Sequence, residues 1–208
     1  MQDVSKNEGR TVLFVSHQMD AIETLTQKCI YLKQGKIDSF GRTFNIINNY
    51  LGDHRNANDI ISYTNRSGSG NAKIVKLEVY QRENRVEVIK QGEQFEVLIG
   101  IENRTSDKLD MSFVLENYKE QALFCSQLSD TGGSLSQSGY SEKKITVSVQ
   151  NIRKGNYLVS LALFRIDKTE FHDVVLHFPL ISIEGASSSI AFPQDDRWGD
   201  LYFPLNWY

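Results

Sequence analysis

The sequence predicts two unlike pieces: a short α/β segment in front, and behind it an all-β antiparallel sandwich of the immunoglobulin-like or jelly-roll kind. Three observations carry this. The run Thr11-Val12-Leu13-Phe14-Val15-Ser16 is apolar nearly throughout, as strands of parallel sheets buried on both faces are. Residues 56–71 turn polar, with Asn65-Arg66-Ser67-Gly68-Ser69-Gly70-Asn71 reading as a linker. From residue 72 onward apolar and polar positions alternate, and no helix-period segment of any length follows. The expected division is therefore 1–55, a linker over 56–71, and a β domain over 72–208.

In the first piece, residues 1–8 read as the end of a helix stopped by Gly9. The strand 11–16 leads to Ser16 and His17 at its carboxyl end, where ligand chemistry gathers in open α/β sheets. Met19, Ile22 and Leu25 then mark a short amphipathic helix over 18–27. Cys29–Leu32 and Lys36–Phe40 make a hairpin around Gln34-Gly35, and Thr43 can cap a helix carrying Phe44, Ile47, Tyr50 and Leu51. A histidine at the end of a strand can donate to a phosphate oxygen or be satisfied by backbone. The residues alone leave both open.

Composition sets outer limits. A chain of 208 residues allows one or two domains, and a net charge of −3 argues against a nucleic-acid partner. No apolar run approaches the roughly 18 residues needed to span a bilayer, and the first residues lack the pattern of a signal peptide. Cys29 and Cys125 each lie in an apolar run, which suits buried free thiols in a reducing compartment. The sequons Asn65-Arg66-Ser67 and Asn103-Arg104-Thr105 are then chance matches.

The segments Gly9–His17, Met19–Ile22 and Cys29–Ile37 with Gly41 resemble the end of an ABC-transporter ATPase domain. More narrowly, the chain resembles the Wzt-type ATPase subunit that exports O-antigen polysaccharide, which carries a carbohydrate-binding β domain behind its ATPase domain. The resemblance implies that His17 is the switch histidine of the H-loop, with Ser16 beside it, sensing the ATP γ-phosphate. It implies ATP and magnesium in the full-length parent, a transmembrane permease subunit as partner, and a place in the cytoplasm, peripheral on the inner membrane. It implies a homodimer built by exchange of C-terminal strands, and a lipid-linked glycan as the ligand of the β domain. No G-x-x-x-x-G-K-[ST] occurs, and the signature and Walker B motifs are absent too. The chain as given is not expected to hydrolyse ATP and needs no cofactor of its own.

In the second piece, strands are expected at 72–81, 85–90, 94–103, 109–118, 121–128, 142–150, 156–167, 171–178 and 180–184. Turn residues such as Gln91-Gly92 and Thr131-Gly132-Gly133 separate them. Strands recurring about every ten residues read as an antiparallel sandwich. On several strands the outward set is unusually apolar or small. If those strands are neighbours, Gly100, Ser112, Ser160 and Ala162 form a trough edged by Tyr118 and Phe164. Sugars suit such a surface, because their C–H faces stack on rings while hydroxyls seek carboxylates and amides. The candidate sugar contacts are Ser112, Glu116, Tyr118, Gln127 and Phe164. Equally, another segment can cover that face.

The ending Arg197–Tyr208 packs five aromatics into twelve residues, among them Trp198, Tyr202, Phe203 and Trp207. These call for burial, which a strand exchanged between two protomers provides; a sugar-stacking platform is the competing reading. His172 and His177, five apart on a strand, point to opposite faces and do not share one ion, so no metal is expected. Two rival functions stay open: a pure dimerisation scaffold for the ATPase domains, and an enzyme acting on the glycan.

Overall fold

The computed structural model describes residues 12–16, 19–43, 46–47, 49–50, 59–148, 151–186 and 201. The chain divides into two compact units, Met1–Asn56 and Ala57–Tyr208. In the first, helix α1 (Met19–Leu25) precedes a hairpin of β1 (Lys28–Lys33) and β2 (Lys36–Arg42). Gln34 (φ 51°) and Gly35 (φ 76°) join the two strands. Two consecutive left-handed residues match the twist of a two-residue hairpin, which is why glycine serves there. Thr26, Cys29 and Thr43 tie helix to hairpin: the Thr43 hydroxyl donates to the Thr26 carbonyl at 3.0 Å and lies 3.6 Å from the Cys29 sulfur. Residues 43, 46, 47, 49 and 50 are helical, and Ile46 and Ile47 are buried.

The expected strand over 11–16 is not formed in the residues described, 12–16. Leu13 is 83% exposed and Val15 86% exposed, instead of buried on both faces. The reason is pairing. A core strand of a parallel sheet needs hydrogen-bonded neighbours on both sides, and among the described residues this unit offers only the β1–β2 hairpin. Ile30, Leu32, Ile37 and Phe40 of that hairpin are exposed as well. An α/β sheet is therefore not seen among the described residues of this unit.

The second unit is a sandwich. Among its described residues, β4 (Ala72–Gln81), β5 (Asn84–Arg85), β7 (Gln94–Asn103) and β10 (Gly139–Ser148) form one sheet, in the order β10-β7-β4-β5. The other runs β3-β12-β11-β8-β9, from β3 (Arg66–Ser67), β12 (Phe171–Ala186), β11 (Gly155–Arg165), β8 (Leu109–Asn117) and β9 (Ala122–Gln127), with β6 (Val88–Gln91) also on β12. Alternation explains the core. Phe95, Val97, Ile99 and Ile101 of β7 face Met111, Phe113 and Leu115 of β8 and Val159, Leu161 and Leu163 of β11, all in one buried cluster.

Four local expectations are corrected. The segment 85–90 is two strands in different sheets: β5 pairs with β4, and β6 pairs with β12, in parallel. Strand β12 runs unbroken through Pro179, which sits beside a register shift where a missing N–H costs little. Cys125, expected buried, is exposed on β9. Finally, residues 64–71 are not a linker, and the apolar island at 60–63 docks on the second unit, one of the two domains its composition suits. Ile60 joins the core, and Arg66–Ser67 pair with Val175 and Val174. The Arg66 guanidinium grips Asp173 at 2.6 Å and donates to the carbonyls of Ile60 (2.8 Å) and Ile74 (2.6 Å), while the Ile74 N–H donates to Asp173.

Candidate functional site

Because inward and outward residues alternate, Asp110, Ser112, Val114 and Glu116 of β8 point away from the core. Register decides what lies beside them. Ser112 is opposite Gln127 on β9 and Ala162 on β11, so two of the expected contact residues are neighbours. Val114 stands between Cys125 and Ser160, and Glu116 between Ala122 and Leu158. Gly100 is not part of this surface. It lies on β7, in the other sheet, because the connection from β7 to β8 crosses between sheets. Its bare Cα lets Tyr140 lie across it: a Cβ there would come within 2.8 Å of the Tyr140 hydroxyl.

Phe164, expected as an open aromatic edge, is only 3% exposed. Its ring packs on Phe171 at 5.4 Å, and Phe171, which the alternation pattern did not single out, is the exposed member of the pair. The face is thus partly covered: Leu158, Ser160 and Phe164 are all buried. Tyr118 is half-buried just beyond β8, with the Lys119 ammonium 5.6 Å from its ring centre.

The chemistry on this face concentrates where β12 bulges. The register between β11 and β12 shifts between Val159 and Leu161, and His177 takes a left-handed backbone, φ 57°. Such a conformation is uncommon for a residue other than glycine and needs local support. Support comes from three sides. The His177 N–H donates to Ser160 Oγ at 2.9 Å. The Tyr63 hydroxyl lies 3.0 Å from the carbonyls of Leu176 and His177. The imidazole Nδ1 is 2.8 Å from Oε2 of Glu116, with Nε2 3.7 Å from Oε2 of Glu120.

Glu116 is thus a buried carboxylate whose accessible extension is the half-buried His177 ring. Burial pushes the Tyr63 phenol above its ordinary value, its hydrogen bond with Asn65 opposes this, and the negative charges of Glu120 and Glu116 add to the rise. The hydroxyl therefore stays a donor through the ordinary pH range. Sequence reasoning found Glu116 and placed Ser160 on this face, but missed His177, which bonds both, and Tyr63, whose hydroxyl meets the His177 carbonyl. Strict alternation would put His177 with the inward Val175, but the register shift between Val159 and Leu161 gives β12 an extra residue that re-aims the side chain.

Of the remaining expectations, Ser16 is half-buried in the irregular segment 12–16. His17, Trp198, Tyr202, Phe203 and Trp207 lie outside the described residues. Leu201, which is described, forms a bridge with Ile152. On the other sheet, a depression of about 360 Å³ is lined by Tyr80, Gln81, Glu93, Glu96 and Thr146. No helix among the described residues is long and apolar enough to cross a membrane.

Comparison with solved structures places this architecture. The C-terminal domain of Wzt matches with a TM-score of 0.52 at 16% identity, over 62% of this chain and 87% of that one. A calcium-binding mutant of Bacteroides uniformis beta-glucuronidase 2 matches over 51% of this chain and 14% of its own, at 10% identity and a TM-score of 0.37. A PapD-like domain of human CEP192 matches over 57% and 89%, at 15% identity and 0.32. These two are too distant to carry an argument. A comparison with curated protein sequences finds no match. The sequence profile of the Wzt C-terminal domain matches residues 63–191, more than half of the chain and nearly all of the sandwich. The chain belongs to the Wzt C-terminal domain family.

Proposed function

We infer that this chain is the C-terminal part of the ATPase subunit of a polysaccharide exporter, and that its sandwich binds the terminal residue or cap of a lipid-linked glycan. One observation carries the binding half: a bulge holds His177 in a strained backbone, with its ring on buried Glu116, on a sheet face that is otherwise largely apolar. Strain of that kind clusters where a side chain must be aimed. An imidazole backed by a carboxylate can exchange hydrogen bonds with sugar hydroxyls, while Ser112, Gln127 and Tyr118 extend the polar rim. The exposed apolar residues of the first unit, Leu13, Val15, Ile30, Leu32, Ile37 and Phe40, support its origin in a larger ATPase domain that would cover them.

Binding, not hydrolysis, is the work assigned to this chain, since its sequence contains no phosphate cradle. In the parent subunit, His17 would report the γ-phosphate, and a membrane-spanning permease and a second protomer would complete the exporter. Calorimetric titration of the full chain with delipidated polysaccharide tests the reading. His177→Asn keeps a residue that tolerates the left-handed backbone but removes the imidazole. It should weaken binding roughly tenfold, about 1.4 kcal/mol. A titration silent with every glycan offered, from a chain that self-associates in sedimentation, would replace binding by scaffolding.

A further inference from the structure

The second histidine of β12 has a different setting. His172 is 1% exposed, and its Nε2 has no hydrogen-bond partner. A buried imidazole nitrogen left alone is costly and calls for an explanation. Around it stand two carboxylates from different connections. Asp107, between β7 and β8, places Oδ2 3.7 Å from His172 Nε2, and Glu170, on the turn before β12, places Oε1 3.5 Å from Nδ1. One ligand atom from each of the three residues falls within 4.8 Å of the others. The Nε2–Asp107 separation is too long for a hydrogen bond and fits two ligands of one ion, since ligands about 2.1 Å from a tetrahedral metal lie about 3.4 Å apart. Glu170 lies beside the other ring nitrogen and enters through the 4.8 Å cluster of ligand atoms.

We propose that Asp107, Glu170 and His172 form a binding site for a divalent transition-metal ion, zinc by its chemistry. The imidazole decides the class: calcium and magnesium take oxygen donors, whereas imidazole with carboxylate suits zinc and its neighbours. The surroundings already orient the ligands. His172 Nδ1 is 3.0 Å from Ser69 Oγ, so an Nδ1–H donated to that hydroxyl leaves the Nε2 lone pair facing Asp107, the arrangement that metal-bound histidines use. Asp107 is divided in the same way: Oδ1 faces Arg165 Nε at 3.9 Å, and Oδ2 faces the histidine. Asp107 and Glu170 are about one-third exposed, which leaves water access to a fourth position. An ion there cross-links the 104–108 connection, the 166–170 turn and β12, where the His172 carbonyl already accepts from the Gly70 N–H at 2.8 Å.

The test is zinc chloride titrated into the full chain by calorimetry, with melting temperature followed in parallel. The expected result is one site of micromolar or tighter affinity and a melting temperature that rises with zinc. Glu170→Gln and Asp107→Asn keep side-chain shape, and each should weaken zinc by roughly tenfold or more while metal-free melting stays near that of the parent. Doubly substituted Cys29→Ala, Cys125→Ala chains and His177→Asn should bind zinc as the parent does. Zinc binding weaker than millimolar, or binding unchanged in both carboxylate variants, overturns the site.

Discussion

The two sheets of the sandwich handle charge in opposite ways. On the outer face of the four-stranded sheet, Lys76 reaches Glu142 (3.1 Å) and Glu78 (3.3 Å), Lys144 reaches Glu96, and the hydroxyls of Tyr140 and Tyr80 donate to Glu142 and Glu78. These groups are open to water; the Lys76 and Glu142 side chains are 34% and 38% exposed. On the six-stranded sheet the main ion pair, Arg66 with Asp173, is 14% and 3% exposed, and Glu116, Asp110 and His172 are buried too. One face spends its charge on solubility, the other on holding particular residues in place. A functional surface is expected on the second kind, because groups removed from water act strongly and are costly to misplace.

The largest break in that contrast should come from Arg66→Ala. It strands Asp173 and frees the carbonyls of Ile60 and Ile74, so urea denaturation should show a loss of about 3–5 kcal/mol. A loss near that of an exposed pair, below about 1 kcal/mol, would erase the distinction between the sheets. Gly100→Ala probes the solvated face at a crowded glycine. The new Cβ would lie 2.6 Å from the Lys76 Cβ and 2.8 Å from the Tyr140 hydroxyl. The tyrosine can swing away but the Lys76 Cβ is fixed to backbone, so a loss of about 1–3 kcal/mol is expected.

The smallest effect concerns pH. Tyr140 and Lys76 hold Glu142 below its ordinary value. For Glu78, burial alone would raise the value, but the Tyr80 hydroxyl, Lys76 and Arg85 outweigh it and the net shift is down. A carboxylate lowered on folding contributes stability that is present above its unfolded value, near 4.5, and is lost as pH falls through the lower folded one. Melting temperature should therefore decline gently below about pH 4.5, and a Glu78→Gln, Glu142→Gln chain should decline less over that window. A parallel decline in both chains would remove any role for these pairs.

How much of this was legible in the sequence differs by region for physical reasons. The solvated sheet alternates cleanly, so Phe95–Asn103 could be read strand, face and all. The six-stranded sheet is covered on parts of both faces, so Leu158 and Phe164 carry the same apolar signal as Val159 and Leu163, and nothing in the pattern says which side is open. Non-local pairing was invisible for the same kind of reason. That Val88–Gln91 leaves its hairpin to run parallel to β12, or that Arg66 finds Asp173 107 positions later, is decided by partners far along the chain. The run at 11–16 shows the converse: its composition suits a core strand, but composition does not supply neighbours. Glu116 was recognisable as a polar residue among outward apolar ones. His177 was not, since a register shift leaves no mark in residue types.

Strand β12 has one more consequence, for how the molecule is made. It pairs antiparallel with β11 just before it, antiparallel with Arg66–Ser67, and in parallel with Val88–Gln91. During synthesis, those earlier segments leave the ribosome without the strand that completes their sheet, and must wait until about a hundred further residues have followed. Assembly dominated by such distant pairings is slow, so the nascent chain carries an open edge while those residues are made, and a chaperone that shields that edge would raise the yield of folded protein.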